Sequence, residues 1–487
     1  MLRDRRARPP RRRPGRCGAV RHGLPRIHQS RFKGKEAQVQ TRGNHVWLVS
    51  GLATVAIVLA ACGQRPGGST ATPIPAGSSG ASSAPVELSG TLSVWTYPQG
   101  DSEKPIKASI QAFKALHPKL DIKLVVIPEG DPYFQKINTS LQAKNPPDIA
   151  IIEDRSWMKA GKVVRLDQQY FPKWGVTVDD FNPGGLARGT PTGNVKDGIY
   201  GIGDFLGGNI LVYNKKMFAD AGLTPPPADR SLTIQEYADI CRKLTKPDAN
   251  PNKYVYGCSM PEWAPPIQAK DVFGPDGRHA TGNLNSPEMV NAFNIASALI
   301  RDKQAPSGSV LEAAAESDLF ASGRLGITWT DFTETPKYKQ NKIDFGLAPF
   351  FVIHSGESFV DTWTAAWGTF KDSKHPDAAI EFLHYMATEA QKQRPTISPD
   401  PPLSQKVAEQ VGYGKDDPVK AEYLQVLKAA KPQVFVPPGV EAADWAELMR
   451  QMTVEKKTDA KPLLDAMADK VQKQLDQVWQ RWDKLSG

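Results

Sequence analysis

From Leu88 onward the apolar residues change period in a regular order. Alternation over 90–95 (GTLSVW) and again over 121–126 (DIKLVV) predicts strands, because successive side chains of a strand point to opposite faces. Between them, residues 105–116 place apolar positions three and four apart, which predicts one buried face of a helix. Residues 133–143 repeat that helical spacing, Pro146 and Pro147 break it, and the apolar run 148–152 reads as a third strand. Strands joined by helices of about ten residues are what a parallel, crossover-connected sheet requires. The C-terminal third reads as mostly helical, over 376–388, 418–430, 442–453 and 462–482, and no repeat of fixed period runs through the chain. These roughly 400 residues are too many for one hydrophobic core and are expected to form two lobes.

A different pattern comes first. Residues 46–61 (VWLVSGLATVAIVLAA) hold sixteen residues without a charge, short of the roughly 20 that a bilayer span needs but suited to the core of a signal peptide. Two small residues stand directly before Cys62, and Leu59-Ala60-Ala61-Cys62 resembles the bacterial lipobox. That resemblance implies that Cys62 takes a diacylglycerol and becomes the first residue of the mature chain. Residues 1–61 are then a basic leader and signal peptide. A few charges near Arg42 suffice for such a signal, so translation is expected to start later than Met1, with most of 1–38 never made. Residues 63–87 are almost wholly Gly, Ser, Ala, Thr and Pro and read, behind Cys62, as a flexible tether.

Cleavage there changes what charge and cysteine content mean. The chain is formally +9, but fourteen of its 61 Lys+Arg and two of its 52 Asp+Glu lie in residues 1–44. From Cys62 on, 47 basic and 50 acidic residues leave about −3, so the arginine-rich start gives no support for nucleic-acid binding. Cys17 would be lost and Cys62 acylated. Cys241 and Cys258 remain, either bonded across a loop in an oxidising compartment or as two separate buried thiols. No accompanying histidine cluster points to zinc, and no cofactor motif appears.

Several separated stretches, in order, carry a family resemblance: GTLSVWTYPQGD (90–101), FKALHPKLDIKLV (113–125), YFQKINTSLQAKNPPDIAIIED (133–154), YGIGDFLGGNILVYNKKMFADAGL (200–223), LFASGRLGITW (319–329), FGLAPF (345–350) and HPDAAIEFLHYM (375–386). Together they resemble the extracellular solute-binding lipoproteins of ABC importers, in the sugar-binding group that includes maltodextrin-binding protein. The resemblance implies an α/β, type II periplasmic-binding-protein-like fold, two αβ lobes joined by a hinge of several crossings. Lobe one would be 88–201 plus 359–410 and lobe two 202–358 plus 411–487, with hinge glycines at Gly201 and Gly203. It also implies a monomer without catalytic machinery, held through acylated Cys62 at the outer face of the cytoplasmic membrane. There it would pass a solute from its cleft to permease subunits.

A sugar offers hydroxyls at its rim and C–H faces above and below, so its site wants aromatic platforms beside planar polar groups. Trp95 and Tyr97 close the first predicted strand. Trp157 follows Glu153, Asp154 and Arg155 after the third, at the carboxyl edge where open α/β sheets bind ligands. Trp263, Trp329 with Asp331, Trp363, Trp367, Trp445 and Asp204 complete the candidates. The resemblance places Tyr97, Asp154, Arg155, Trp263, Trp329 and Trp445 in ligand-facing segments, while Gly207 and Gly208 stand where maltodextrin proteins carry an acidic ligand residue. Against each candidate stands a plainer role: tryptophans fill cores, Glu153 and Asp154 suit a helix cap, and Asp204 and Asp331 suit strand ends. Trp174, Trp479 and Trp482 read as packing.

Two rivals use the same residues. Paired carboxylates such as Glu153/Asp154 or Asp331/Glu334 would serve glycoside hydrolysis, yet neighbours on a strand diverge, and no GxSxG, HExxH, Walker A or GxGxxG motif supports an enzyme. A polyamine site also combines tryptophan with carboxylates, through cation–π contact and ion pairing.

Overall fold

A computed structural model describes residues 87–98, 103–189, 198–441 and 443–485. The leader, the apolar run, Cys62 and the tether up to residue 86 lie outside the described residues. No helix among those described is long and apolar enough to cross a membrane.

The strands are β1 (Gly90–Thr96), β2 (Leu120–Val126), β3 (Ile149–Ile151), β4 (Leu186–Arg188), β5 (Ile199–Gly203), β6 (Gly207–Asn214), β7 (Tyr256–Cys258), β8 (Leu325–Thr330), β9 (Phe345–Ala348), β10 (Asp361–Trp363) and β11 (Ala366–Gly368). They form two sheets, ordered β2-β1-β3-β11-β5-β4 and β10-β6-β8-β7, with β9 also on β6. The expected parallel pairing holds for β1 with β2 and β3. It fails at β11, which runs antiparallel to β3 and β5 because the chain re-enters this sheet from the other one. The second sheet is mixed as well, with β7 parallel to β8 and its other pairings antiparallel.

The helices that bear on function are α1 (Glu103–Leu116), α2 (Asp131–Gln142), α3 (Arg155–Lys159), α4 (Ile234–Leu244), α5 (Pro287–Arg301), α6 (Glu316–Ala321), α7 (Pro376–Ala387), α8 (Pro418–Val426), α9 (Trp445–Thr453) and α10 (Lys461–Asp483). In α10 the buried residues Leu464, Ala468, Val471, Leu475, Val478 and Trp482 recur at steps of three and four, one stripe against the second core. Helix α9 starts at Trp445, later than the expected 442, because the Asp444 carboxylate caps it by accepting from the Glu447 N–H. The helix expected over 418–430 ends at Val426 and tightens into a short 3-10 turn, after which Ala430 bridges to Val360.

Strand β6 is buried along its whole length, as a strand covered on both faces must be. Ile210 and Val212 join the core that also fills the first sheet, while Leu211 and Tyr213 join a second core with Trp479 and Trp482. The chain passes between sheets at 204–206 and 364–365, and again between Ser404, which bridges to Phe181, and Asp417, which pairs with Lys339. Residues 361–363, expected in lobe one, pair with Gly207, Gly208 and Asn209 in the second sheet because that crossing falls later in the chain. Gly201 and Gly203 lie inside β5. A Cβ on Gly203 would sit 2.1 Å from the Thr364 hydroxyl, so a glycine here admits the close approach of the neighbouring chain.

Candidate functional site

The carboxyl ends of β1, β3, β7 and β8 carry most of the candidate side chains. Tyr133 of α2 ties the first two together: its hydroxyl accepts from the Ile151 N–H at 2.9 Å and its ring meets Tyr97 edge-on at 5.2 Å. The buried Tyr97 donates its hydroxyl hydrogen to Glu153. Glu153 is open to solvent yet recessed among protein atoms, and this burial pushes its carboxyl above the ordinary range against the pull of the Tyr97 bond. Asp154 instead caps α3, accepting from the Ser156 N–H at 2.8 Å. Arg155 donates from Nε to the Arg188 carbonyl at 3.2 Å and lays its guanidinium 5.0 Å from the Phe435 ring centre. Trp157 is in the core, with its indole N–H spent on Asn138 at 2.8 Å. Trp95 stays half-buried under the Lys136 ammonium, 4.9 Å from its ring centre.

On the second sheet, Trp329 ends β8 and Trp263 follows β7, their half-buried rings edge-on at 5.1 Å. The Trp329 indole N–H donates to Glu316. Burial pushes the Glu316 carboxyl up to about 7, opposed by bonds from Trp329 and Ser259 and reinforced by Glu262. Glu316 was not among the sequence candidates. No sequence signal marked it, because only the fold turns α6 back along β8 and brings Trp329 to it. Trp445, at the start of α9, is stacked on Phe293 of α5 at 5.7 Å.

The crossing segments separate the remaining candidates. Trp363 is 37% exposed and pairs with Gly207, where a Cβ would lie 2.5 Å from its indole nitrogen. The indole thus fills the space a side chain at 207 would occupy. Asp361 is buried and accepts from Asn209 and Gln433 at 3.2 and 3.1 Å. Asp331 accepts from the Gly208 N–H at 3.0 Å and from Thr333, and burial lifts it to about 6, with Asp400 adding. Trp367 is fully buried. Asp204 is 3% exposed and neither oxygen makes a hydrogen bond of normal geometry. Burial raises it to about 6, while the nearby Arg394 charge and Trp367 indole N–H hold it down.

Outside these clusters, a cavity of about 320 Å³ is lined by Gln268, Lys270, Glu357, Lys431 and Gln433, and no sequence candidate borders it. Cys241 and Cys258 are joined by a disulfide between α4 and β7 within the second core. Among the described residues no group of three His, Cys, Asp or Glu could hold a metal ion.

Two mixed αβ lobes with polar and aromatic side chains at their strand ends define a periplasmic-binding-protein-like fold. The fold is shared with the ABC substrate-binding protein Lmo0181 from Listeria monocytogenes, solved with cycloalternan (TM-score 0.58, 19% identity, 79% of this chain and 99% of that chain). It is shared equally with the sugar-binding protein MalE of Xanthomonas citri (TM-score 0.61, 17% identity, 81% of this chain and 98% of that chain). The family model described as bacterial extracellular solute-binding protein matches residues 98–393, more than half of the chain. The chain belongs to that family. It is 24% identical over 244 residues to the diacetylchitobiose-binding protein DasA of Streptomyces coelicolor, covering 48% of this chain and 53% of DasA. The chain spans no more than 66% of the length of the curated relatives it matches.

Proposed function

We propose that this chain is the membrane-tethered receptor of an ABC importer, which captures a carbohydrate between its lobes and hands it unchanged to the permease. The observation that carries this reading is a matched pair: each lobe sets a carboxylate near the end of a strand, Glu153 after β3 and Glu316 at the start of α6 beside β8, each held by an aromatic donor, Tyr97 and Trp329. Such carboxylates accept from sugar hydroxyls, while Trp263, Trp329 and Trp363 offer faces for the C–H surfaces. Arg155 and Trp95 border the same space, while Asp154 caps α3, Asp331 holds Gly208, and Trp157, Asp204 and Trp367 are buried in the protein. Acylated Cys62 and the tether to residue 87 hold the monomer at the outer face of the cytoplasmic membrane, near its permease. The sugar ligands named for Lmo0181 and DasA support the solute class.

One observation favours a second reading. Glu316 and Glu262 lie beside the Trp263–Trp329 pair, the combination that also recognises an amine by charge and cation–π contact. A thermal-shift panel of mono- and oligosaccharides, polyols and polyamines separates the two, since a ligand of the native state raises its melting temperature. Sugar-specific stabilisation is expected. A shift from polyamines with none from sugars would transfer the conclusion to the amine reading, and turnover of chromogenic glycosides would favour an enzyme.

A further inference from the structure

Helix α3 reaches the second core with one face and sits in the first with the other. Trp157 and Met158 are buried in the core of the first sheet. Arg155 and Lys159, four residues apart and so on one face of a helix, meet rings of the second core instead. The Arg155 guanidinium lies 5.0 Å from the centre of Phe435, and the Lys159 ammonium 5.4 Å from that of Trp482. Those rings are well supported, with Phe435 packed on Trp482 at 5.0 Å and edge-on to Trp479 at 5.8 Å. Asp483 at the end of α10 is held by Arg278 at 3.1 Å, and Arg278 covers Trp479 at 3.7 Å from its centre. Arg278 holds the Asp483 carboxyl below its ordinary range, and the Lys159 charge contributes to the same effect.

We infer that Arg155 and Lys159 are positioning residues for solute capture: they latch α3 onto Phe435, Trp482 and Asp483 and so set how much of the protein is closed. Arg155 keeps its hydrogen bond to the Arg188 carbonyl on the first sheet, and a cation is attracted to an aromatic face without hydrogen bonds to that face, which suits a contact made and broken at each capture. Population of the closed form governs apparent affinity even where a residue never touches the solute. Arg155, counted from sequence as a solute contact, acts mainly through this latch. The inference rests on lobe closure and not on the identity of the solute.

The test therefore needs no solute. In the full-length chain, Lys159→Cys with Asp483→Cys is oxidised mildly, and Lys159→Glu is compared with the parent by small-angle scattering and thermal melting. The crosslink is expected to form and to give a smaller radius of gyration than the reduced protein, reversed by reductant. Lys159→Glu is expected to increase the radius of gyration with an unchanged melting temperature, because Lys159 is only half-buried and outside both cores. Absence of the crosslink, or an unaltered radius of gyration in Lys159→Glu, would overturn the latch. Failure of the sugar reading leaves these results untouched.

Discussion

Two groups of carboxylates flank the segments where the chain passes between its sheets, and both contain acids displaced above their ordinary range. Glu153 follows β3 and Glu316 opens α6 beside the end of β8; each takes a hydrogen bond from an aromatic donor, Glu153 being exposed and Glu316 half-buried with its Oε1 closed off from water. Asp204 and Asp400 are 3% and 1% exposed, with Arg394 bonded to Asp400 at 2.6 Å and itself 3% exposed. Asp331 neighbours this second group and spends its oxygens on Gly208 and Thr333. A displaced pKa is therefore a poor guide to a binding site on its own. What separates the groups is exposure of the residue: Glu153 is exposed and Glu316 half-buried, whereas Asp204 and Asp400 are almost wholly covered and Asp331 spends its oxygens on its neighbours.

Breaking the sealed group should have the largest effect. Arg394→Met leaves Asp400 buried without its cation and is expected to cost about 3–5 kcal/mol of stability, read by denaturant unfolding, with solute preference unchanged in whatever remains folded. A stability loss below 1 kcal/mol would mean that the pair is not sealed as described. Removing the Cys241–Cys258 bond, whose partners are 17 residues apart, is expected to cost about 3 kcal/mol by releasing loop entropy in the unfolded chain. That change should also spare the cleft, since both cysteines are buried in the second core.

A smaller effect distinguishes the two groups by pH. Asp204 is raised to about 6 and Glu316 to about 7 from ordinary values of 3.8 and 4.5, burial being the main cause for each. Between those limits the folded protein holds a proton that the unfolded chain has released, so stability falls as pH rises from about 4 to about 7. Asp204→Asn should flatten the part below about 6 whether or not solute is bound. Glu316→Gln should flatten the part up to about 7, and bound solute should shift only this component. Melting temperatures taken across pH 4 to 8, with and without a stabilising solute, check both. Identical responses of the two variants to solute would remove the distinction.

The first sheet was legible because its strands and helices keep clean periods: residues 90–96, 103–116, 120–126 and 131–142 fold within a few residues of where alternation and helical spacing place them. The antiparallel return of β11 was not, since direction is decided by where the chain has been and not by its own three residues. In the candidate site, aromatic residues at strand ends marked the right segments, but single residues could not be sorted. Asp154 and Glu153 are adjacent and chemically alike, yet one caps α3 and the other faces solvent. Trp363 and Trp367 lie four residues apart, and only the fold decides that Gly207 opens a place for the first while the second is buried. Glu316 carried no local signal, because its partner Trp329 is brought to it by the turn between α6 and β8.

The claim that both walls together hold the solute is tested most directly by calorimetric titration of the solute that gives the largest thermal shift. It is run on the parent, Glu153→Ala in the first lobe and Trp263→Ala in the second, each checked for native melting. Each variant is predicted to bind at least tenfold more weakly, about 1.4 kcal/mol. Unchanged affinity in both would contradict the account and place the solute elsewhere, with the cavity lined by Lys270, Glu357 and Gln433 the next position to examine.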